Sequence, residues 1–234
     1  NVRMTKRTVF ITGASSGIGE SLARLYASRG DQVGLVARRQ DHLQRLAAEI
    51  TPRPEIYPLD VRDAGALKAA AADFIARHGA PDIVIANAGV SRGTLTEMED
   101  DLKAFQEILD INVMGMVNTF HAFIGPMRSA GNGTLVGIAS VAGFRGIPGG
   151  GAYSASKSAA IKYCESLRVE LRGSGVSVVT ICPGYIRTPM TAVNRFKMPF
   201  LIDVDEAVVR FARAIEAKAS FTVIPWTMGV AGRV

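Results

Sequence analysis

Apolar positions along the chain fall into two alternating periodicities. Short runs rich in β-branched residues, of which Thr8-Val9-Phe10-Ile11-Thr12 is the first, are followed by stretches whose apolar residues recur at helical spacing. The runs predict strands at 8–12, 32–36, 55–59, 82–86, 134–139, 176–181 and 222–224. The stretches between them predict helices at 18–28, 41–50, 64–77, 101–123, 153–172 and 205–217. Strands that are apolar on both faces need cover on both faces, so the alternation predicts a parallel sheet between two helical layers. Right-handed crossovers make such a three-layer α/β sheet doubly wound. No composition break, repeat or low-complexity segment divides the chain, and residues 1–234 are expected to form one domain. The least regular stretch, 183–203, follows the strand ending at Ile181, at the sheet edge where ligands sit in this architecture. It is the expected cover of a bound substrate.

The first strand runs straight into Thr12-Gly13-Ala14-Ser15-Ser16-Gly17-Ile18-Gly19, and the first helix opens inside that turn. This is the context in which a glycine-rich segment binds a dinucleotide. Gly13 permits a tight exit from the strand, Gly17 lets backbone approach a pyrophosphate, and Gly19 lets the helix pack closely on the sheet. Ser15, Ser16 and Ile18 then lie beside free N–H groups at the helix start, which favour phosphate. A glycine-rich turn with no ligand is the bland alternative. The second strand ends Val36-Ala37-Arg38-Arg39, where a protein preferring NAD usually carries an acid for the ribose 2′-hydroxyl. Ala37 cannot accept that bond, whereas Arg38 and Arg39 offer guanidinium donors to a 2′-phosphate, so NADP(H) is the expected cofactor. The alternative leaves both arginines solvated, with Asp41 capping the next helix.

Tyr153-Ser154-Ala155-Ser156-Lys157 sets a phenol and an amine four residues apart on one helical face. A phenol is a weak base at neutral pH, and a nearby cation is expected to lower its pKa. Ser140 stands just beyond the strand 134–139, at the same sheet edge. The glycine spacing differs from the G-x-G-x-x-G of the commonest dinucleotide folds and resembles the TGxxxGxG fingerprint of the short-chain dehydrogenase/reductase family. Further motifs follow in family order: Asp60-Val61, Asn87-Ala88-Gly89, Asn112, Ser140, Tyr153 with Lys157, Pro183-Gly184, and Thr188-Pro189. The resemblance covers Thr8 to about Pro189 and departs at Ala86, where a second Asn is frequent in the family. It implies a Rossmann-like oxidoreductase acting on an alcohol or carbonyl compound, and a homodimer or homotetramer. In it Tyr153 exchanges the proton, Ser140 orients the substrate oxygen, Lys157 tunes the phenol and binds the nicotinamide ribose, and Asn112 helps hold a relaying water. Asp60 and Val61 would meet the adenine. Asn87, Ala88, Gly89, Pro183, Gly184 and Thr188 would line the rest of the NADP site. Reduction of 3-oxoacyl thioesters and a non-catalytic nucleotide-sensing module are the rival expectations.

Composition narrows the field. The formal charge of +6 is spread over single Lys and Arg residues rather than runs, so a nucleic-acid partner is not expected and an anionic cofactor accounts for the excess. Cys164 and Cys182 are far apart in apolar segments, and His42, His78 and His121 lack ligand spacing, so neither a disulfide framework nor a metal site is expected. The histidines are expected at surface or helix-end positions. No apolar run reaches the ~18 residues of a spanning helix, and Asn1-Val2-Arg3-Met4 opens no secretory core, so a cytoplasmic protein is expected. Both termini can be trimmed ends, and a membrane anchor there would escape notice. Met190 to Leu201, with Phe196 at its middle, is apolar for a loop and suggests a lid over a hydrophobic substrate. Packing on the domain or on a second subunit is the alternative, and Arg195 and Lys197 offer a third, contact with an anionic substrate group.

Overall fold

Within β1 (Thr8–Thr12), Val9 and Ile11 pack to one side and Phe10 to the other, all fully buried. The same division continues across the molecule, which the computed structural model describes over residues 6–195 and 197–231. Asn1 to Met4, Phe196 and Val234 lie outside the described residues. The chain alternates through α1 (Gly17–Ser28), β2 (Gln32–Ala37), α2 (Gln40–Glu49), β3 (Glu55–Pro58), α3 (Ala64–His78) and β4 (Ile83–Ala86). Next come α4 (Asp101–Leu109), a π-helical turn (Asp110–Met114), α5 (Gly115–Ala130), β5 (Gly133–Ile138), α6 (Gly151–Glu170) and β6 (Val176–Pro183). It closes with α8 (Val204–Glu216), β9 (Phe221–Ile224) and α9 (Thr227–Ala231), after a small unit made of β7 (Ile186–Arg187), α7 (Pro189–Ala192) and β8 (Ile202–Asp203).

The seven predicted strands form one parallel sheet in the order β3-β2-β1-β4-β5-β6-β9. Leu22 and Tyr26 of α1, Leu43 of α2 and Phe211 of α8 cover one face with Val9 and Ile11. Phe74 of α3, Phe120 and Phe123 of α5 and Leu167 of α6 cover the other with Phe10. Each such side chain contributes roughly 1.5–3 kcal/mol by leaving water. The order reverses between β1 and β4, which opens a crevice at their carboxyl ends.

Three expectations need correction. The helix predicted to stop at Phe123 runs through Pro126 to Ala130. Phe123 and Met127, one turn apart, are both fully buried, and that packing outweighs the ~3 kcal/mol cost of an interior proline. The continuous helical stretch of 30 residues, Asp101–Ala130, is also long and apolar enough to cross a membrane, with a mean hydropathy of 1.2 in its most apolar window. Ile111, Met116, Phe120, Phe123 and Met127 pack into the core beside the sheet, which is the setting of a core helix. Finally, 183–203 is not irregular throughout: β7 pairs with β8 through Ile186–Ile202 and Arg187–Asp203, and Arg187 Nε donates to Asp203 at 2.9 Å. Strands of two residues are too short to leave a periodic signal.

Candidate active site

Thr12 closes β1 with a buried hydroxyl, and its Oγ1 accepts from the N–H groups of Asn87 and Ala88 at 3.0 and 3.1 Å. Asn87 returns the contact, its Nδ2 donating to the carbonyls of Thr12 and Gly13, both at 3.3 Å. The two strand exits at the switch point are thus locked together. Gly13 has φ +67, and a Cβ there would come within 2.8 Å of Ala88 Cα. Gly19 serves the turn more than the sheet: a Cβ on it would strike the Gly13 carbonyl oxygen at 2.1 Å.

In front of this turn lies an open-sided hollow of about 1010 Å³. Ser15, Ser16, Gly17 and Ile18 wall it on one side, with Arg38 and Arg39 at the end of β2, Asp60 and Val61 after β3, and Asn87, Ala88 and Gly89 after β4. Thr188 stands opposite. Gly17 has φ +56, and a Cβ on it would narrow the gap by coming within 3.5 Å of Thr188 Cβ, so a side chain there would fill the cradle. Arg39, not Asp41, is the N-cap of α2, and it makes no capping bond. Its Nη2 instead donates to Ser15 Oγ at 3.1 Å. Asp60 is held below the usual carboxylate range by Arg62, which donates to it through side chain and backbone, with the Arg38 charge adding to the effect.

A second hollow of about 530 Å³ continues from the first, sharing Ile18, Asn87, Gly89, Thr188 and Met190 with it. Here Ser140, Tyr153 and Lys157 meet Pro183 and Gly184. Lys157 is buried; its Nζ donates to the Ile138 carbonyl at 3.1 Å and lies 5.6 Å from the centre of the Tyr153 ring. Burial pushes its amine down to about 8. Burial also holds the Tyr153 phenol above its usual value, and a hydrogen bond from Ser140 pulls it only part of the way back. Loss of water thus outweighs the Ser140 hydrogen bond at the phenol, and Lys157 does not figure among the influences on it.

Asn112 lies in the π-helical turn, fully buried. Its Oδ1 accepts from Val90 N at 2.8 Å, and its Nδ2 donates to Val90 O at 2.9 Å and Ser156 Oγ at 3.0 Å. Ser156 in turn donates to the Tyr153 carbonyl at 2.7 Å. With both amide hydrogens committed, the Asn112 side chain ties the exit of β4 to the helix that carries Tyr153.

The structure gathers the candidate residues along this crevice except Gly19 and Asn112, which are buried beside it and line neither hollow, and four residues that shape it were missed from sequence. Thr12 and Ser156 are small hydroxyls inside motifs, Arg62 follows Asp60 at a distance of two residues, and His42 was expected at a surface or helix end. His42 Nδ1 is 3.4 Å from the Ser15 carbonyl oxygen. Its position one helical turn beyond Arg39 was the available signal.

The family model for short chain dehydrogenases matches residues 7–198. The chain belongs to the short-chain dehydrogenase family. An uncharacterized oxidoreductase of Myxococcus xanthus is 41% identical, the match covering 99% of this chain and 92% of that protein. Among solved structures, a short-chain dehydrogenase from Streptomyces avermitilis superposes with a TM-score of 0.88 at 26% identity, covering 98% of this chain and 92% of that one. A short-chain dehydrogenase from Sphingobium yanoikuyae, solved in complex with NADPH, gives 0.81 at 29% identity over 94% of this chain and 88% of that one. This short-chain dehydrogenase is accordingly an oxidoreductase of a family that uses a nicotinamide cofactor. The Gly17 cradle and the continuity of the two hollows fit such a group.

Proposed function

We propose that this short-chain dehydrogenase reduces a hydrophobic ketone or aldehyde with NADPH. The observation that carries the reading is the meeting of Ser140, Tyr153 and Lys157 in a hollow continuous with the one behind the glycine-rich turn. Ser15 to Ile18 would hold the pyrophosphate, Asp60 and Val61 the adenine, and Arg38 and Arg39 the 2′-phosphate. Asn87 to Gly89, Pro183, Gly184 and Thr188 would flank the nicotinamide end, with Tyr153 and Lys157 at its ribose. When bound, the nicotinamide supplies the hydride.

The side chains of the protein do the rest. As negative charge gathers on the carbonyl oxygen, the Tyr153 and Ser140 hydroxyls are the donors able to meet it, and they favour the transition state over the ground state. The protonated Tyr153 phenol can pass its proton to that oxygen as general acid. Lys157, once its ammonium faces the new phenolate, stabilises it. Asn112 positions α6 through Ser156.

The substrate class rests on what surrounds the hydroxyls. Ile138, Pro183, Ile186 and Met190 make that hollow largely apolar, and Met190, Val193 and Phe200 leave the covering segment with exposed apolar surface. Turnover of a panel of aliphatic, aromatic, polar and thioester-linked carbonyl compounds, followed through nicotinamide absorbance, tests it. Long-chain or aromatic ketones should lead, and a lead by small polar carbonyls would count against the assignment. Replacing Arg38 and Arg39 together by Ala should raise the Michaelis constant for NADPH far more than that for NADH. Equal losses would mean that the end of β2 does not read the 2′-phosphate.

A further inference from the structure

We infer that His42 is a third reader of the cofactor's 2′-phosphate, acting with Arg39 and Ser15 as one anion-binding corner; this rests on the NADPH reading above. The three residues form a closed set. Arg39 Nη2 donates to Ser15 Oγ at 3.1 Å, Arg39 Nη1 lies 3.5 Å from His42 Nε2, and His42 Nδ1 lies 3.4 Å from the Ser15 carbonyl oxygen. Ser15 and Arg39 line both the hollow in front of the glycine-rich turn and a second one behind it, and His42 lines the second.

Charge partners decide which groups have donors to spare. Arg24 is taken up by Glu20 and Glu49, Arg45 approaches the same two carboxylates at 4.0 Å, and Arg187 is paired with Asp203. Arg38 lines the same hollow as Arg39, and its charge also acts on Asp60. Around His42 the only carboxylate within ion-pair distance among the described residues is Asp41, at 3.8 Å and almost wholly in solvent. Arg39 forms no ion pair among the described residues. A phosphate seated against Ser15 Oγ would draw the Arg39 donors to itself, and the imidazole, freed from Arg39 and shifted to the tautomer with its proton on Nε2 in exchange for the long Nδ1 contact to the Ser15 carbonyl, can donate to a remaining phosphate oxygen. A dinucleotide lacking the 2′-phosphate offers His42 nothing to bind.

The test is direct titration of NADPH and of NADH into the wild-type protein, His42→Ala and His42→Lys. His42 is partly exposed, so both variants should fold, and an unchanged melting temperature checks that. The expected result is an NADPH affinity about tenfold weaker in His42→Ala, the size of one hydrogen bond to a charged group, with NADH binding unchanged. His42→Lys, which restores a donor, should recover most of the NADPH affinity. The role of His42 falls if His42→Ala leaves the NADPH-to-NADH ratio at its wild-type value, weakens both cofactors equally, or is not rescued by Lys. A wild-type protein that binds NADH as tightly as NADPH would instead remove the cofactor reading, and the corner with it.

Discussion

Tyr153 and Lys157 show how burial rewrites what spacing alone suggests. Four residues on one helix bring the two side chains to the same face, and that much is readable from the sequence. The direction in which each titrates is not, because it depends on how β5, β6 and the segment after β6 close around them. Tyr153→Phe keeps the ring and removes the proton donor, so it should lower turnover by at least roughly 10²-fold, the usual worth of a general acid, with cofactor affinity nearly intact. Lys157 carries a cost. Depressing its amine from 10.5 to about 8 means that the folded protein holds a buried ammonium at neutral pH at a penalty of roughly 3 kcal/mol. Lys157→Met removes the charge and also a bond to the Ile138 carbonyl worth about 1 kcal/mol, so it should stabilise the protein by roughly 2 kcal/mol at pH 7 while abolishing activity. The sign follows from proton linkage. Between about 8 and 10.5 the unfolded chain binds more protons at this lysine than the folded one, so the penalty shrinks as pH rises. Urea melts of both proteins across that range should show the advantage of Lys157→Met fading, and an advantage independent of pH would mean that the amine is not strained by burial.

At the level of elements, the glycine-rich turn was legible because its requirements are local. Gly13 and Gly17 take positive φ, and the strand before and helix after are both strongly patterned. What the pattern hides is which neighbour each glycine makes room for. Gly19 faces the Gly13 carbonyl at a distance no side chain tolerates, so Gly19→Ala must push the helix start away from the turn. The expected loss is about 1–3 kcal/mol, together with weaker cofactor binding because the N–H groups beside Ser16 and Gly17 move. Chemical denaturation and cofactor titration of one variant check both, and wild-type values in both would show that the turn has slack. The π-helical turn and the β7–β8 pairing were not legible for the opposite reason. The turn bearing Asn112 is held by bonds to Val90 and Ser156, 22 and 44 residues away, and no local pattern encodes partners at that range.

Over the whole molecule the site is the carboxyl edge of the sheet itself. Thr12 ends β1, Arg38 and Arg39 follow β2, Asp60 follows β3, Asn87 follows β4, Ser140 follows β5, and Pro183 closes β6. Once alternation predicts a doubly wound sheet, each motif's distance from its strand fixes where it comes to rest, and for that reason most candidate positions were readable in advance. A ligand spanning that edge touches the ends of six strands and braces β1 against β4, where the order reverses. Its binding energy is then felt by global unfolding rather than by one loop. At a concentration 100 times its dissociation constant, a ligand specific to the folded state adds about 2.7 kcal/mol, which for a chain of this size raises the melting temperature by roughly 5–10 °C. NADPH should produce a shift of that order, and NADH at the same concentration a smaller one, because the arginines beyond β2 have no 2′-phosphate to hold. The excess of six positive charges adds a salt-dependent attraction for either dinucleotide, so the comparison belongs at fixed ionic strength. Equal shifts would leave the nicotinamide fold standing and take away its preference, while no shift with either would show that the crevice is not a dinucleotide site.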